Sequence, residues 1–245
     1  MAQPPVINGE RLIPGMSFRE RREFVRLARE LVRLPAPGEA PLAHLLPEAR
    51  WRELCRRAPD EADWLMALSQ ATGVYFFPSQ EFVLALMRYL RLLRVPRLLE
   101  AGAGRGYLSA ALAPLCAAAG ITFRAVDRGE GEFVSDLPVY AGVERGDVFA
   151  AVRAFRPQAV LYAWPPPGQS LAAICRTRSL RYLMVVGEAG GGATGAREDW
   201  ERLPHKISPL LSRYGRGRTG SRPHRVTIFY GGSGAGGAEA GGEKA

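Results

Sequence analysis

Between Arg97 and Tyr230 the chain switches repeatedly between short β-type apolar runs and helical runs, and this alternation restricts the fold more than any other feature of the sequence. A strand that returns to its sheet through a helix lies parallel to its neighbour, and the helices then cover both faces. Seven runs have strand character: residues 97–100, 121–126, a weak 142–145, 159–163, 181–187, about 206–211 and 224–230. They predict an α/β, doubly wound sheet of seven strands. In such a sheet a ligand belongs at the carboxyl ends of the strands, so the residues that follow each run are the ones to read.

The first run leads into Glu100-Ala-Gly-Ala-Gly-Arg-Gly-Tyr107, with glycines at 102, 104 and 106 and a helix following. Glycines there let the backbone turn tightly and approach a ligand where a side chain would collide. A dinucleotide site wants G-x-G-x-x-G and therefore a glycine at 107, which is tyrosine here. The second run ends in Asp127 and the third is followed by Asp147 and Val148. Each aspartate by itself reads more readily as the cap of the next helix.

Taken together, E-x-G-x-G-x-G and the two strand-end acids resemble the class I, Rossmann-like S-adenosylmethionine-dependent methyltransferases, over about residues 77–230. The resemblance implies that Glu100, Gly102, Gly104 and Gly106 form the cofactor turn. It also implies that Asp127 accepts from both ribose hydroxyls, as two carboxylate oxygens can, and that Asp147 accepts from the adenine amino group with Val148 against the ring. Phe77, in Phe-Pro-Ser at a helix start, resembles the segment that covers the methionine end in several amino-methyltransferases, and Ala163 closes the strand next to the methyl group.

The fourth strand stops at Trp164-Pro-Pro-Pro-Gly168. In amino-methyltransferases this place holds a polar residue, two prolines and an aromatic. Here Trp164 stands where the polar acceptor would be and Pro167 where the aromatic would be. A rigid proline turn holds backbone carbonyls fixed towards a nucleophile, so Trp164 and the Pro165 carbonyl are candidates for the acceptor wall, the alternative being a tryptophan packed beneath a stiff loop. Glu188, ending the fifth strand before a glycine-rich loop, reads either as a general base or as a salt-bridging or capping acid. His44, His205 and His224 are scattered and read as surface or satisfied polar residues.

Residues 1–76 form a helical N-terminal region by pattern: a capping box at Ser17-Phe-Arg-Glu20, helical stretches at 48–58 and 60–71 with Asp60 as N-cap, and a loop between Pro35 and Pro41. The resemblance implies a methyltransferase domain over residues 77–231, and the glycine-rich 232–245, with nothing apolar to bury, is expected to be disordered. Cys55, Cys116 and Cys175 are too widely spaced for a disulfide framework or a zinc site, so no metal is expected. The absence of a signal-peptide pattern or a long apolar run predicts a cytoplasmic protein without a membrane partner. The formal charge of +9 admits an anionic acceptor, either nucleic acid or a small anionic molecule. Yet of 33 basic residues only Lys206 and Lys244 are lysine, a bias that a GC-rich genome also produces. The run Arg213, Arg216, Arg218, Arg222 and Arg225 is expected to hang beside the acceptor pocket, on the turn between the last two strands. Two other functions fit less of the sequence: a cofactor-binding protein without turnover, and a nicotinamide-dependent oxidoreductase, which Tyr107 disfavours.

Overall fold

The computed structural model describes residues 17–130, 135 and 137–232. Four helices come first: α1 (Phe18–Leu31), α2 (Glu48–Arg57), α3 (Glu61–Thr72) and α4 (Gln80–Leu92). Three of the four starts are fixed locally. Ser17 and Glu20 close a capping box, the Asp60 carboxylate accepts from two backbone N–H groups of α3, and the Ser79 hydroxyl accepts from Phe82 N. Strands and helices then alternate: β1 (Arg97–Ala101), α5 (Ser109–Ala118), β2 (Thr122–Asp127), β3 (Val143–Arg145), α6 (Val148–Phe155), β4 (Ala159–Ala163), α7 (Leu171–Cys175) and β5 (Tyr182–Glu188). The last elements are α8 (Arg197–Arg202), β6 (His205–Ile207), α9 (Pro209–Ser212), β7 (Arg218–Thr219) and β8 (Arg222–Tyr230).

The sheet runs β3-β2-β1-β4-β5-β8-β6, with β7 paired to β8 alone. Strands β1 to β5 are mutually parallel, and β8 is antiparallel to both β5 and β6. This is the class I methyltransferase order, with its single reversed strand second from one edge. The chain moves outward through β2 and β3, then resumes at β4 on the other side of β1. That reversal opens a crevice at the carboxyl ends of β1 and β4.

Alternate residues of each strand go to opposite faces. Leu98, Leu161, Met184 and Ile228 join one buried cluster with α4, α5 and the N-terminal helices, whereas Leu99, Val160, Leu183 and Phe229 join another with α6, α7 and α8. Trp51 and Trp64 lie in the first cluster, so the N-terminal region has no core of its own and is the cover of one sheet face.

The sixth run differs from expectation: only His205–Ile207 pairs, and residues 209–212 turn into α9. Pro209 has no N–H to give a ladder and its fixed φ suits the first helical position, while the Ser208 hydroxyl accepts from Leu211 N. Apart from Gly232, the glycine-rich tail lies outside the described residues, as does the N-terminal stretch read for a signal peptide. No helix among the described residues is long and apolar enough to cross a membrane.

Candidate active site

The glycine turn after β1 divides its three glycines between two jobs. All have positive φ. A Cβ at Gly102 would lie 2.7 Å from the Tyr162 ring and one at Gly106 2.6 Å from Val143, so these two are glycine for packing. A Cβ at Gly104 would meet nothing within 4 Å, and this is where the backbone lies open to a ligand. Asp127, at the end of β2, accepts from Gly104 N at 2.8 Å and from Gly129 N at 2.7 Å. Each oxygen has a lone pair left for a further donor. The Arg105 guanidinium donates to the carbonyls of Ser135 and Leu137, and its own carbonyl accepts from Tyr140 N, which draws the segment before β3 against the turn.

Glu100 is almost fully buried and accepts from a single side chain, the Ser109 hydroxyl, at 2.7 Å. Burial pushes its pKa up to about 7, the serine bond opposing and the nearby Asp127 adding to the shift. A buried carboxylate with one donor is a site for a cation or an N–H.

At the far end of the crevice Asp147 does what its capping alternative states: one oxygen accepts from Ala150 N at 2.9 Å, while the other pairs with Arg128. The Arg128 guanidinium and the capping bond hold its pKa below the ordinary carboxylate value. Val148 is buried in the second core cluster and is not free to lie flat on a ring; the partly buried Phe149 is the aromatic neighbour. Phe77 is likewise a core residue, 5.5 Å from the Trp51 ring.

On the acceptor side Ala163 ends β4 beside Val186, and Trp164 takes φ 54°, a left-handed conformation that is an outlier for so bulky a residue. Its N–H donates to Val186 O at 2.8 Å, and its ring stands edge-on to His224 with centroids 4.6 Å apart. The proline turn is rigid, but the buried Pro165 already has its carbonyl engaged by Gly195 N at 3.1 Å.

Glu188 departs from the general-base expectation. One oxygen pairs with Arg222 at 2.7 Å and the other accepts from Ala193 N at 3.0 Å, so its salt-bridging alternative is the arrangement present. Its carbonyl accepts from Thr194 Oγ1, and Arg222 also reaches Gly191 O. The glutamate therefore ties down the glycine-rich loop.

Three features escaped the sequence. His224 faces Glu188 across the ladder, at the carboxyl edge and against Trp164. Its Nδ1 lies 2.6 Å from Arg216 O, which can only accept, so Nδ1 carries the proton and Nε2, 3.1 Å from Thr219 Oγ1, keeps its lone pair. Burial lowers its pKa below the ordinary histidine value. Tyr107 is buried against His44: its carbonyl accepts from His44 Nε2 at 3.2 Å, and the rings meet edge-on at 5.5 Å. It docks the N-terminal region onto the cofactor turn. Arg216, expected with its neighbours to hang beside the acceptor pocket, has instead a largely buried side chain, paired with Glu48, donating to Phe77 O and stacked over Trp51. The nearest signal was the missing acid around residues 213–225; the acids come from distant segments instead.

No family model and no curated protein matches the sequence. Among solved structures the chain is similar to a Staphylococcus aureus protein described as a caffeoyl-CoA O-methyltransferase, with TM-score 0.43 and 11% identity over 76% of this chain and 99% of that one. It is also similar to human N-acetylserotonin methyltransferase in complex with S-adenosylmethionine (TM-score 0.37, 11% identity, 89% of this chain and 68% of that one), and to the methyltransferase SibL (0.38, 14%, 89% and 71%). Similarity at that level is too remote to carry residue roles. The strand order, with its crevice beside the open glycine turn, is the firmer ground: the chain has the class I S-adenosylmethionine-dependent methyltransferase fold.

Proposed function

We propose that the chain binds S-adenosylmethionine and transfers its methyl group to a nucleophile held against the packed Trp164–His224 pair. The observation that carries this reading is the open backbone at Gly104, bracketed by Asp127 and by the buried Glu100. An ammonium fits the carboxylate of Glu100, and a diol fits the remaining lone pairs of Asp127. Bound there, S-adenosylmethionine supplies an electrophilic methyl on a positive sulfur.

The chain's own contribution is alignment and a place for the proton. Trp164, fixed by its bond to Val186, forms the wall against which an acceptor lies. His224 Nε2, neutral at pH 7 because burial lowers its pKa, takes the acceptor's proton once the exposed Thr219 hydroxyl rotates away. Arg216 O holds the ring in the tautomer this requires. The acceptor is anionic in this proposal, nucleic acid or a small acid, with Arg218 and Arg225 on the hairpin beside the crevice. Among the described residues neither has a carboxylate partner within ion-pair distance, unlike Arg216 and Arg222.

The test is titration of S-adenosylhomocysteine by calorimetry into the parent and into Asp127→Ala. Losing charge-assisted bonds to two hydroxyls, about 1.5 to 3 kcal/mol each, lowers affinity about a hundredfold or more. Unchanged affinity in the folded variant refutes the site. A second reading, binding without turnover, is favoured by one observation: the Pro165 carbonyl and both oxygens of Glu188 are consumed internally. Homocysteine-product release with candidate acceptors, lost in His224→Gln, separates the two.

A further inference from the structure

The arginines of this chain divide by the company they keep. Arg33, Arg124, Arg128, Arg216 and Arg222 each pair with a carboxylate. On the sheet face opposite the N-terminal helices, α6 and α7 bound a groove of about 1100 Å³, and its lining includes Arg153, Arg156, Arg176 and Arg178. All four are exposed, and none has an ion pair among the described residues. The one acid in the lining is Asp147, already held by Arg128. Arg153 and Arg156 come from one wall, α6 and its C-terminal cap, and Arg176 and Arg178 follow α7 on the other.

The groove's volume lies at the top of the roughly 300 to 1,000 Å³ that small-ligand pockets span, but its charged groups are four exposed guanidiniums on two walls and not the few buried polar anchors of an enclosed site. A chain can lie in it. Guanidinium groups on both walls match phosphate oxygens in pairs, and the partly buried Phe149, on the same lining, offers a face on which a base can stack. Asp147, which caps α6 at the carboxyl edge of the sheet, is also in the groove's lining, so a strand lying along the groove leads towards that edge. From these features we infer that the α6/α7 groove binds a single-stranded nucleic acid through its phosphates. Binding there stands independently of methyl transfer; that the strand is the acceptor rests on the methyltransferase reading.

Fluorescence anisotropy with a labelled oligouridylate of about 12 nucleotides, titrated at several salt concentrations, tests the inference. Each phosphate contact on a single strand contributes about 0.7 to the log–log salt slope, so four contacts give about 3. The variant Arg153→Ala/Arg156→Gly/Arg176→Ala/Arg178→Ala loses that slope and most of the affinity. It keeps its thermal midpoint, because the side chains are exposed and Arg156 sits at φ 51°, where glycine is unstrained. Phe149→Leu weakens oligouridylate at least about fivefold and leaves inorganic polyphosphate unaffected. The inference is overturned if the quadruple variant keeps the parent slope, if Arg213→Ala/Arg218→Ala/Arg225→Ala on the hairpin flattens it instead, or if polyglutamate competes as well as oligouridylate. S-adenosylhomocysteine affinity is unchanged in the quadruple variant. A parent that binds oligouridylate but no S-adenosylhomocysteine sinks the methyltransferase reading and leaves the groove standing.

Discussion

The two halves of the carboxyl edge are built on opposite plans. Around β1, β2 and the glycine turn the polar groups are left underused: Gly104 is open, Asp127 has lone pairs to spare, and Glu100 is buried with one donor. Around β4, β5 and β8 they are spent on one another, Glu188 on Arg222 and Ala193, Arg216 on Glu48 and Phe77, Pro165 on Gly195. The first half leaves these groups free for the ligand proposed above, at some cost to its own stability. The second is a latched frame that holds Trp164 and His224 in place, and its polar groups serve rigidity.

The strongest way to break this contrast is Arg216→Ala. Removing Arg216 takes the buried guanidinium from Glu48, which keeps only the more exposed Arg52 on its other oxygen, and costs about 3 kcal/mol, the low end for a broken buried pair; urea denaturation of the variant measures it. Arg216→Met with Glu48→Gln recovers a large part of the loss. A cost below about 1 kcal/mol removes the latch from the account.

Glu100→Gln probes the other half, with the opposite sign. The folded pKa, about 7, lies above the ordinary 4.5, so the folded state holds the carboxyl proton more tightly than the unfolded one. Stability from this group is therefore fully present below pH 4.5 and lost as pH rises through 7, a cost of about 3 kcal/mol. In the ligand-free protein the variant matches the parent at pH 4.5 and exceeds it by about that amount at pH 8. A difference independent of pH means that Glu100 is solvated and no cation site.

The smallest effect on stability separates Trp164 the wall from Trp164 the core residue. Trp164→Gly relieves left-handed strain of about 1 kcal/mol or more, which offsets the lost packing of a half-buried ring, so stability stays within about 1 kcal/mol of the parent. Methyl transfer collapses while S-adenosylhomocysteine affinity holds. Retained activity in a protein that melts far earlier assigns the tryptophan to packing.

The same contrast explains what could be read from the sequence. The cofactor half is local: a strand, three glycines and an acid lie within ten residues, and the next acid follows at the next strand end. Periodicity found six of the seven main strands nearly to their ends, failing at the sixth where Pro209 starts a helical turn. The acceptor half is assembled from segments far apart in the chain. Arg216 meets Glu48 across 168 residues, and no local pattern encodes that. Nor does spacing reveal that His224 will face Glu188, since the register of an antiparallel pair set by a long connection is fixed by the whole sheet. The capping role of Asp147 was among the readings the sequence left open; its pairing with Arg128 was not visible there.

The position of β8 has a consequence for how the chain is made. The sheet's interior between β5 and β6 is filled by the last of the described strands to be synthesised. Until Tyr230 has emerged, β5 presents its unpaired edge, built from Leu183, Met184, Val185 and Val186, to whatever else is in solution. Such an edge is a template for pairing with other chains. A nascent chain that stalls before residue 222 therefore carries a sticky, half-finished sheet, and aggregation of chains cut short at that point, against good behaviour of the finished protein, is the trace this architecture leaves in expression.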